Sequence, residues 1–509
     1  MFSRILRILH PSHQHSAFSA TVLLMSTVML SRVIGYLREA YIAYAFGAGG
    51  QTDAYVAAFT LPDWLNYILA GGTASITFIS IYTRFLAQKQ IFTPQFVGWM
   101  FHGFSAEQMA LCVSLTRILL PAQIFFYVGG VVGAVLLSHR MFLFPSFGPL
   151  IYNLFIILGG IIAGKQLGIA SLAWGALAGT IIGPFLVNAF GAARIGTRYR
   201  PAFDLKNAAF REWVRLSIPL MLGVSLVTAD DWILRYFASS GVGDIARLNY
   251  AKRLFAVPIA VLGQATGQAS LPFFARLFGE KRMKEFGETV NGSVYRISAL
   301  SFLCSALMMV AALPLIDLVY RRGRFSFGDS QETALYFFWF SISLAFWAAQ
   351  GLYARAFYAA GDTLTPMVAC TLVTLASLAV YRALFHSMSV VGLAIASDIG
   401  IIANTIAAAL LLHRRKLVSL GDLPWVELGK ATLVAAIAGA LAWQVSHLIP
   451  LRGSRTADLE SLGLSSITWA GAVAAGLWLL RSDLPQSLRR KKAMEPVPVT
   501  VEAKVQLEP

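Results

Sequence analysis

Long apolar stretches alternate with short polar connections along the whole chain. The apolar segments run over residues 17–47, 53–87, 108–138, 144–164, 167–192, 213–240, 246–278, 294–320, 331–360, 364–386, 390–413, 427–449 and 463–481. Each has about the length a helix needs to cross some 30 Å of hydrocarbon, about 20 residues. The pattern predicts thirteen spans and an all-α, polytopic integral membrane protein. Pro62, Gly71, Gly72, Pro258 and Gly267 fall inside these segments. Spanning helices tolerate such residues where neighbouring helices or waters satisfy the freed backbone groups.

Composition sharpens this. Of 509 residues, 57% are hydrophobic and 13% charged, and the mean hydropathy is +0.66. A soluble domain carries about 25% charged residues. The net charge of +16 does not point to nucleic acid, because the cations gather in connecting loops, as the positive-inside rule expects. The clusters are Arg4 and Arg7; Arg194, Arg198, Arg200, Lys206 and Arg211; Lys281, Arg282 and Lys284; Arg414, Arg415 and Lys416; and Arg489, Arg490, Lys491 and Lys492. All of these are expected in the cytoplasm, whereas Arg321, Arg322 and Arg324 form a short loop expected to face outward. Cys112, Cys304 and Cys370 are scattered and give neither metal spacing nor a disulfide framework, so no cofactor is expected. The first apolar stretch is too long for a signal-peptide core and reads as a retained helix.

The expected organisation is a cytoplasmic N-terminus (1–16), a first helical lobe (17–192), a basic linker (193–212) and a second lobe (213–413). Two additional spans (427–481) and a disordered cytoplasmic tail (482–509) follow. Thirteen crossings cannot leave both termini in the cytoplasm. Counting from each end places the conflict at 88–107, where a short apolar run is interrupted by Pro94, Gly98 and His102. An abbreviated crossing or a re-entrant segment is expected there.

The chain also echoes itself at a separation of about 190–220 residues, as two-fold repeats do. Phe46 precedes Asp53 by seven residues, as Phe237 precedes Asp244. Gly72 to Phe78 resembles Gly267 to Phe273, and the stretch ending at Pro145 resembles the one ending at Pro366. Two homologous bundles with substrate between them are a common transporter design.

Charges inside apolar segments are functional candidates by default, because each is costly in lipid. Arg32, Arg38 and Glu39 lie in the first segment. On a straight helix Arg32 and Glu39 share a face and Arg38 points about 120° away. A bend at Gly35 would bring the arginines together. The plainer reading of each arginine is snorkelling or a structural ion pair. Asp230 and Asp231 lie in the sixth segment and form a candidate ion-coupling site, although Asp231 and Arg235 have the i,i+4 spacing of an internal ion pair. Arg355 and Arg382 are further cations without an assigned role. Gly159 to Lys165 fits G-x-x-x-x-G-K, but Gln166 follows and the stretch ends a membrane segment, so it is not read as a phosphate loop.

The block Ser31-Arg32-Val33-Ile34-Gly35-Tyr36-Leu37-Arg38-Glu39 resembles the first-helix signature of the MurJ (MviN) lipid II flippases in the MOP superfamily. Phe46-Gly47-Ala48-Gly49, Thr52-Asp53-Ala54 and Leu61-Pro62 continue that pattern. Tyr250-Ala251-Lys252-Arg253-Leu254, Pro258, Leu262-Gly263 and Leu271-Pro272 resemble the family's eighth helix. The resemblance implies fourteen helices in two six-helix lobes plus two extra helices. It implies a flippase, not an enzyme, that moves an undecaprenyl-pyrophosphate-linked muropeptide, lipid II, to the outer leaflet of the bacterial cytoplasmic membrane. Arg32, Arg38 and Arg253 fall on family arginines and Glu39 on an acidic position; with Asp53 and Asn66 they form the expected substrate-binding set. Arginine forks suit a pyrophosphate bidentately and remain charged in any environment.

Departures from the family pattern are specific. Asn66 and Tyr67 stand where the family has an arginine pair, Gly71 and Ala256 where glutamates are expected, and the third helix is largely missing. The competing readings are export of another lipid-linked oligosaccharide or amphiphile, a glycosyltransferase on the same carrier, and a degenerate non-transporting paralogue. Scattered, loop-bound acids argue against the glycosyltransferase.

Overall fold

The computed structural model describes residues 17–70, 89–139, 141–196, 226–448 and 454–489, and every regular element among them is helical. The first half comprises α1 (Ala17–Phe46), α2 (Gly50–Ala58), α3 (Thr60–Ala70), α4 (Lys89–Met100), α5 (Ala106–Leu119), α6 (Ala122–Ser138), α7 (Leu143–Leu167), α8 (Ala170–Thr180) and α9 (Asn188–Arg194). The second half comprises α10 (Leu226–Ala238), α11 (Asp244–Pro258), α12 (Ala265–Gly279), α13 (Met283–Val310), α14 (Ala312–Tyr320), α15 (Phe327–Ile342), α16 (Leu344–Ala359) and α17 (Leu364–Arg414). Then come α18 (Trp425–Ser446), α19 (Arg455–Leu479) and the short α20 (Leu484–Arg489). Most of the linker 193–212, residues 490–509 of the tail and the Gly72–Phe78 member of the second echo lie outside the described residues. The start of the tail, expected to be disordered, is instead the helix α20, docked through buried Leu484 and through bonds from Ser482 and Asp483 to Glu427.

Among the described residues, seven helices are long and apolar enough to cross a membrane alone. Other helical runs are shorter, interrupted or more polar. One runs through α2 and α3, and another through α11 and α12 with a wide π turn, Ile259–Gln264, between them. The first half has its own π turn, Ile181–Val187, joining α8 to α9. Both turns adjoin or contain a proline, Pro258 and Pro184. Proline lacks the N–H that the regular ladder needs, and a wider turn absorbs the defect. The two spans expected at 364–386 and 390–413 are one helical run that breaks at Ser389, whose φ is 54°. That break reverses nothing in the sequence reading; it lies in the expected gap.

The repeat has structural counterparts. Pro145 and Pro366 each occupy the third position of a long helix, α7 and α17, where a missing donor costs nothing because first-turn N–H groups have no intrahelical partner. Asp53 and Asp244 each lie in the first turn of a helix that follows a tight connection. The connections themselves need glycine: Gly47 has φ +71° and Gly243 φ +88°, a region other residues avoid.

Connections sort to the two ends of the bundle. Tyr44 accepts a backbone bond from Arg324 at 3.0 Å, and Gly103 lies against the Ser239–Ser240 backbone. These loops form the end expected to face outward. At the other end, Asn291 donates to the Ser419 carbonyl at 2.7 Å, so the basic segments near 282 and 415 lie together, as their charge predicts. The C-terminal pair α18 and α19 packs on itself and on α13 and α14, with Trp469 Nε1 donating to the Leu303 carbonyl at 3.1 Å.

The disputed stretch 88–107 contains α4, a 12-residue helix with Pro94 inside it. At 1.5 Å per residue it covers about 18 Å, well short of the roughly 30 Å hydrocarbon thickness. Its far end turns through 101–105 into α5, whose start is fixed by a capping box between Ser105 and Gln108. Single cysteines at Lys89 and Glu107 are expected to react with a membrane-impermeant reagent from opposite sides. Labelling from one side alone would show that this segment does not cross.

Candidate functional site

The charges of the first segment meet the second half at mid-bundle. Arg38 and Glu39 are ion-paired on α1. Arg38 Nη1 also donates to Asn153 Oδ1 on α7 at 2.8 Å, and Asn153 is held by its own bond to the Pro149 carbonyl at 3.0 Å. Glu39 reaches across to α11, where Arg253 Nε lies 3.8 Å from Oε1 and Asn249 Nδ2 donates to Oε2 at 3.4 Å. Tyr36, one turn before Glu39, bonds Arg32 and feels the charge of Arg253. Tyr152 on α7 lies within electrostatic reach of Arg38, Glu39, Asp63 and Arg253. The three arginines named from sequence therefore converge, with one glutamate among them, and the cluster keeps a surplus of positive charge.

The arginines differ in what they can do. The Arg38 side chain is 16% exposed and Arg253 51%; Arg32 is exposed. Arg38 is committed to Glu39 and Asn153 and sets the geometry, whereas the Arg32 and Arg253 side chains are the more exposed. No bend at Gly35 is needed, because α1 runs unbroken through it. Arg38 instead turns to α7 and leaves Arg32 on the side facing α11.

Two expected site residues stand elsewhere. Asp53 is fully buried, and both carboxylate oxygens are used: Oδ2 accepts from Gly243 N at 2.5 Å and Oδ1 from Ala246 N at 2.8 Å. It caps the start of α11 from the other half, and in this closed arrangement it is covered by protein. The unpaired N–H groups and positive end of a helix dipole make this a favourable carboxylate site. Asn66 accepts from Tyr127 OH at 2.9 Å, which ties it within the first half.

The ion pair expected between Asp231 and Arg235 is also replaced. Lys252 on α11 bonds both Asp230 and Asp231. Asp230 further accepts from Tyr381 OH and, at 3.0 Å, from Ser397 Oγ. The candidate ion-coupling pair thus holds an internal ammonium. Arg235 turns to α3 instead, donating to Thr60 Oγ1 at 3.0 Å and to Asp63 Oδ2 at 3.2 Å. Sequence reasoning missed Asn153, Asn249, Asp63 and the role of Lys252. The signal for Lys252 was present, a lysine beside Arg253 facing two aspartates, but i,i+4 spacing favoured the wrong partner. Arg355 bonds the Gly351 carbonyl at 2.8 Å on its own helix.

Residues 42–100 and 85–456 match the family model described as lipid II flippase MurJ. The chain belongs to the MurJ family. It is similar to the lipid II flippase MurJ of Burkholderia cenocepacia, 25% identical over 521 residues that cover 93% of this chain and 99% of the relative. A probable lipid II flippase MurJ of Thermotoga maritima is 24% identical, again covering 93% and 99%. The fold matches a solved MurJ in an inward closed conformation with a TM-score of 0.71 at 20% identity, covering 90% of this chain and all of that one. An inward-facing MATE multidrug transporter of the MOP superfamily matches with a TM-score of 0.61 at 14% identity, covering 78% and 98%. The chain is a multi-pass membrane protein of two homologous helical bundles with two further helices. The two segments matched to the MurJ family overlap at 85–100, the stretch occupied by the short α4.

Lys252 separates this chain's aspartate pair from an open ion site. Removing one member of a buried, bonded charge set leaves uncompensated charge and costs about 3–5 kcal/mol. Asp231 is half open, so most of that cost falls on Asp230, whose side chain is 1% exposed. Lys252→Met is expected to lower the unfolding temperature of the detergent-solubilised protein by several degrees, and adding Asp230→Asn to recover most of the loss. Unchanged melting of Lys252→Met would show that the ammonium does not neutralise the pair.

Proposed function

We propose that this chain flips lipid II across the membrane by alternating access, with residues 17–192 and 213–413 as the two moving lobes and 193–212 as their linker. The observation that carries the reading is the convergence of Arg32, Arg38 and Arg253 around Glu39 at the boundary between the halves. A pyrophosphate spreads negative charge over several oxygens, and guanidinium groups meet it with charge-assisted, paired bonds. In a site walled by apolar helices those bonds are stronger than in water.

The site's parts have distinct tasks. Arg253 and Arg32 bind the pyrophosphate from the two halves. Arg38, braced by Asn153, holds Glu39 in place. Glu39 is the ground-state partner of Arg253 and is displaced when the substrate's phosphates arrive, so the cavity never holds a bare cation. Asp53 on the α11 start closes the outer end while substrate enters from the inner side. Outward opening breaks that cap and exposes the site to the other leaflet. No step in this cycle makes or breaks a covalent bond, which fits a transporter rather than an enzyme.

Replacing a charged hydrogen-bonding group costs about 1.5–3 kcal/mol, or about 10–100-fold. Arg253→Ala is expected to slow lipid II flipping by that factor. Arg38→Ala is expected to abolish rescue of a flippase-depleted bacterium, and Arg38→Lys to rescue in part, since a lysine keeps the charge but loses the fork. Full rescue by Arg38→Ala at normal membrane levels would overturn the reading, as would failure of the unaltered chain to rescue at all.

A further inference from the structure

A second charged contact spans the halves, and none of the expected site residues belongs to it. Arg235 lies one turn from the outer end of α10, and its guanidinium bonds two groups on α3, Thr60 and Asp63. Its side chain is 11% exposed, whereas Asp63 is 44% exposed. The cation is covered and the carboxylate is the more exposed partner. Among the described residues, Asp63 is the one carboxylate within ion-pair distance of Arg235, because Asp231 is taken by Lys252. The indole rings of Trp64 and Trp232, each close in sequence to one member of the pair, lie 5.1 Å apart beside it. Arg253 lies deeper, in the third turn of α11, and its charge acts on Asp63.

Separating the halves at this level would strip a covered guanidinium of its only carboxylate, which is strongly unfavourable. The separation becomes feasible if another anion replaces Asp63. A pyrophosphate held by Arg253 would repel Asp63, and it offers more oxygens to a guanidinium than one carboxylate does.

We propose that Asp63 is a built-in stand-in for the substrate's pyrophosphate, and that its bond to Arg235 latches the halves together until a pyrophosphate displaces it. Arg235 is then a further substrate contact, used only as the outer side opens. An empty transporter stays shut because nothing takes Asp63's place. This rests on the flippase reading for the identity of the anion, but its readout is the distance between the halves rather than transport.

The test places spin labels on exposed outer-end positions of the two halves, at Gln51→Cys and Val242→Cys, with Cys112, Cys304 and Cys370 replaced by alanine. The full chain in lipid nanodiscs is measured by pulsed dipolar spectroscopy with and without inorganic pyrophosphate, and with sulfate as control. The unaltered latch is expected to give one short distance alone and a longer population with pyrophosphate. Asp63→Asn is expected to populate the longer distance without any anion. Arg235→Gln is expected to do the same and to need at least about tenfold more pyrophosphate for any further change, the loss of one charged contact. Asp63→Arg combined with Arg235→Asp re-forms the pair in reverse and is expected to restore the short distance, which guards against misfolding of the single variants. Distances in Asp63→Asn that match the parent would overturn the latch, as would a parent that ignores pyrophosphate. A chain that fails to flip lipid II yet shows these shifts would sink the transport reading and leave the latch standing.

Discussion

Charge among apolar helices must find a partner, and in this protein several of the partners sit across the boundary between the two halves. Glu39 on α1 meets Arg253 and Asn249 on α11. Asp63 on α3 meets Arg235 on α10, and Asp53 on α2 meets the backbone start of α11. Each contact is satisfied only while the halves lie together at that level. By contrast, Lys252 with Asp230, Asp231, Tyr381 and Ser397 is internal to the second half. Polar bonds within a half stiffen it; polar bonds between halves can be exchanged for bonds to a ligand. In the proposed cycle, that division would let the two bundles move against each other without leaving charge unpaired in a low-dielectric interior.

The architecture was largely legible in the sequence because a bilayer permits few backbone solutions. Apolar length marked out the spans, and the failure of the count at 88–107 fell on a stretch whose described helix, Lys89–Met100, has 12 residues. Arg32, Arg38 and Arg253 were also legible, since any intramembrane arginine is conspicuous. Their partners were not. Asn153 lies 115 positions from Arg38, and Asp63 172 from Arg235, and nothing local marks such a pair. Where local spacing did speak, it misled. Asp231 and Arg235 share a helix face, but Lys252 comes from the facing helix and answers two carboxylates at once, and that stronger demand decides the pairing.

Asp53 illustrates a different limit. A buried aspartate in a family motif reads as a ligand for substrate until its two oxygens are found on amide groups 190 and 193 positions away. Sequence can show that a carboxylate is present in an apolar setting. Only packing shows whether it faces a cavity or a helix end.

The contact made by Asp53 has an unusual property. One side of it is a side chain and the other is main chain, the amides of Gly243 and Ala246. Every residue except proline carries that amide, so most side-chain changes on α11 leave the donor at position 246 in place. The burden of preserving this cap therefore rests unevenly. A single carboxylate in the first half carries it, while the facing turn is free to drift in sequence so long as its backbone keeps its course through Gly243.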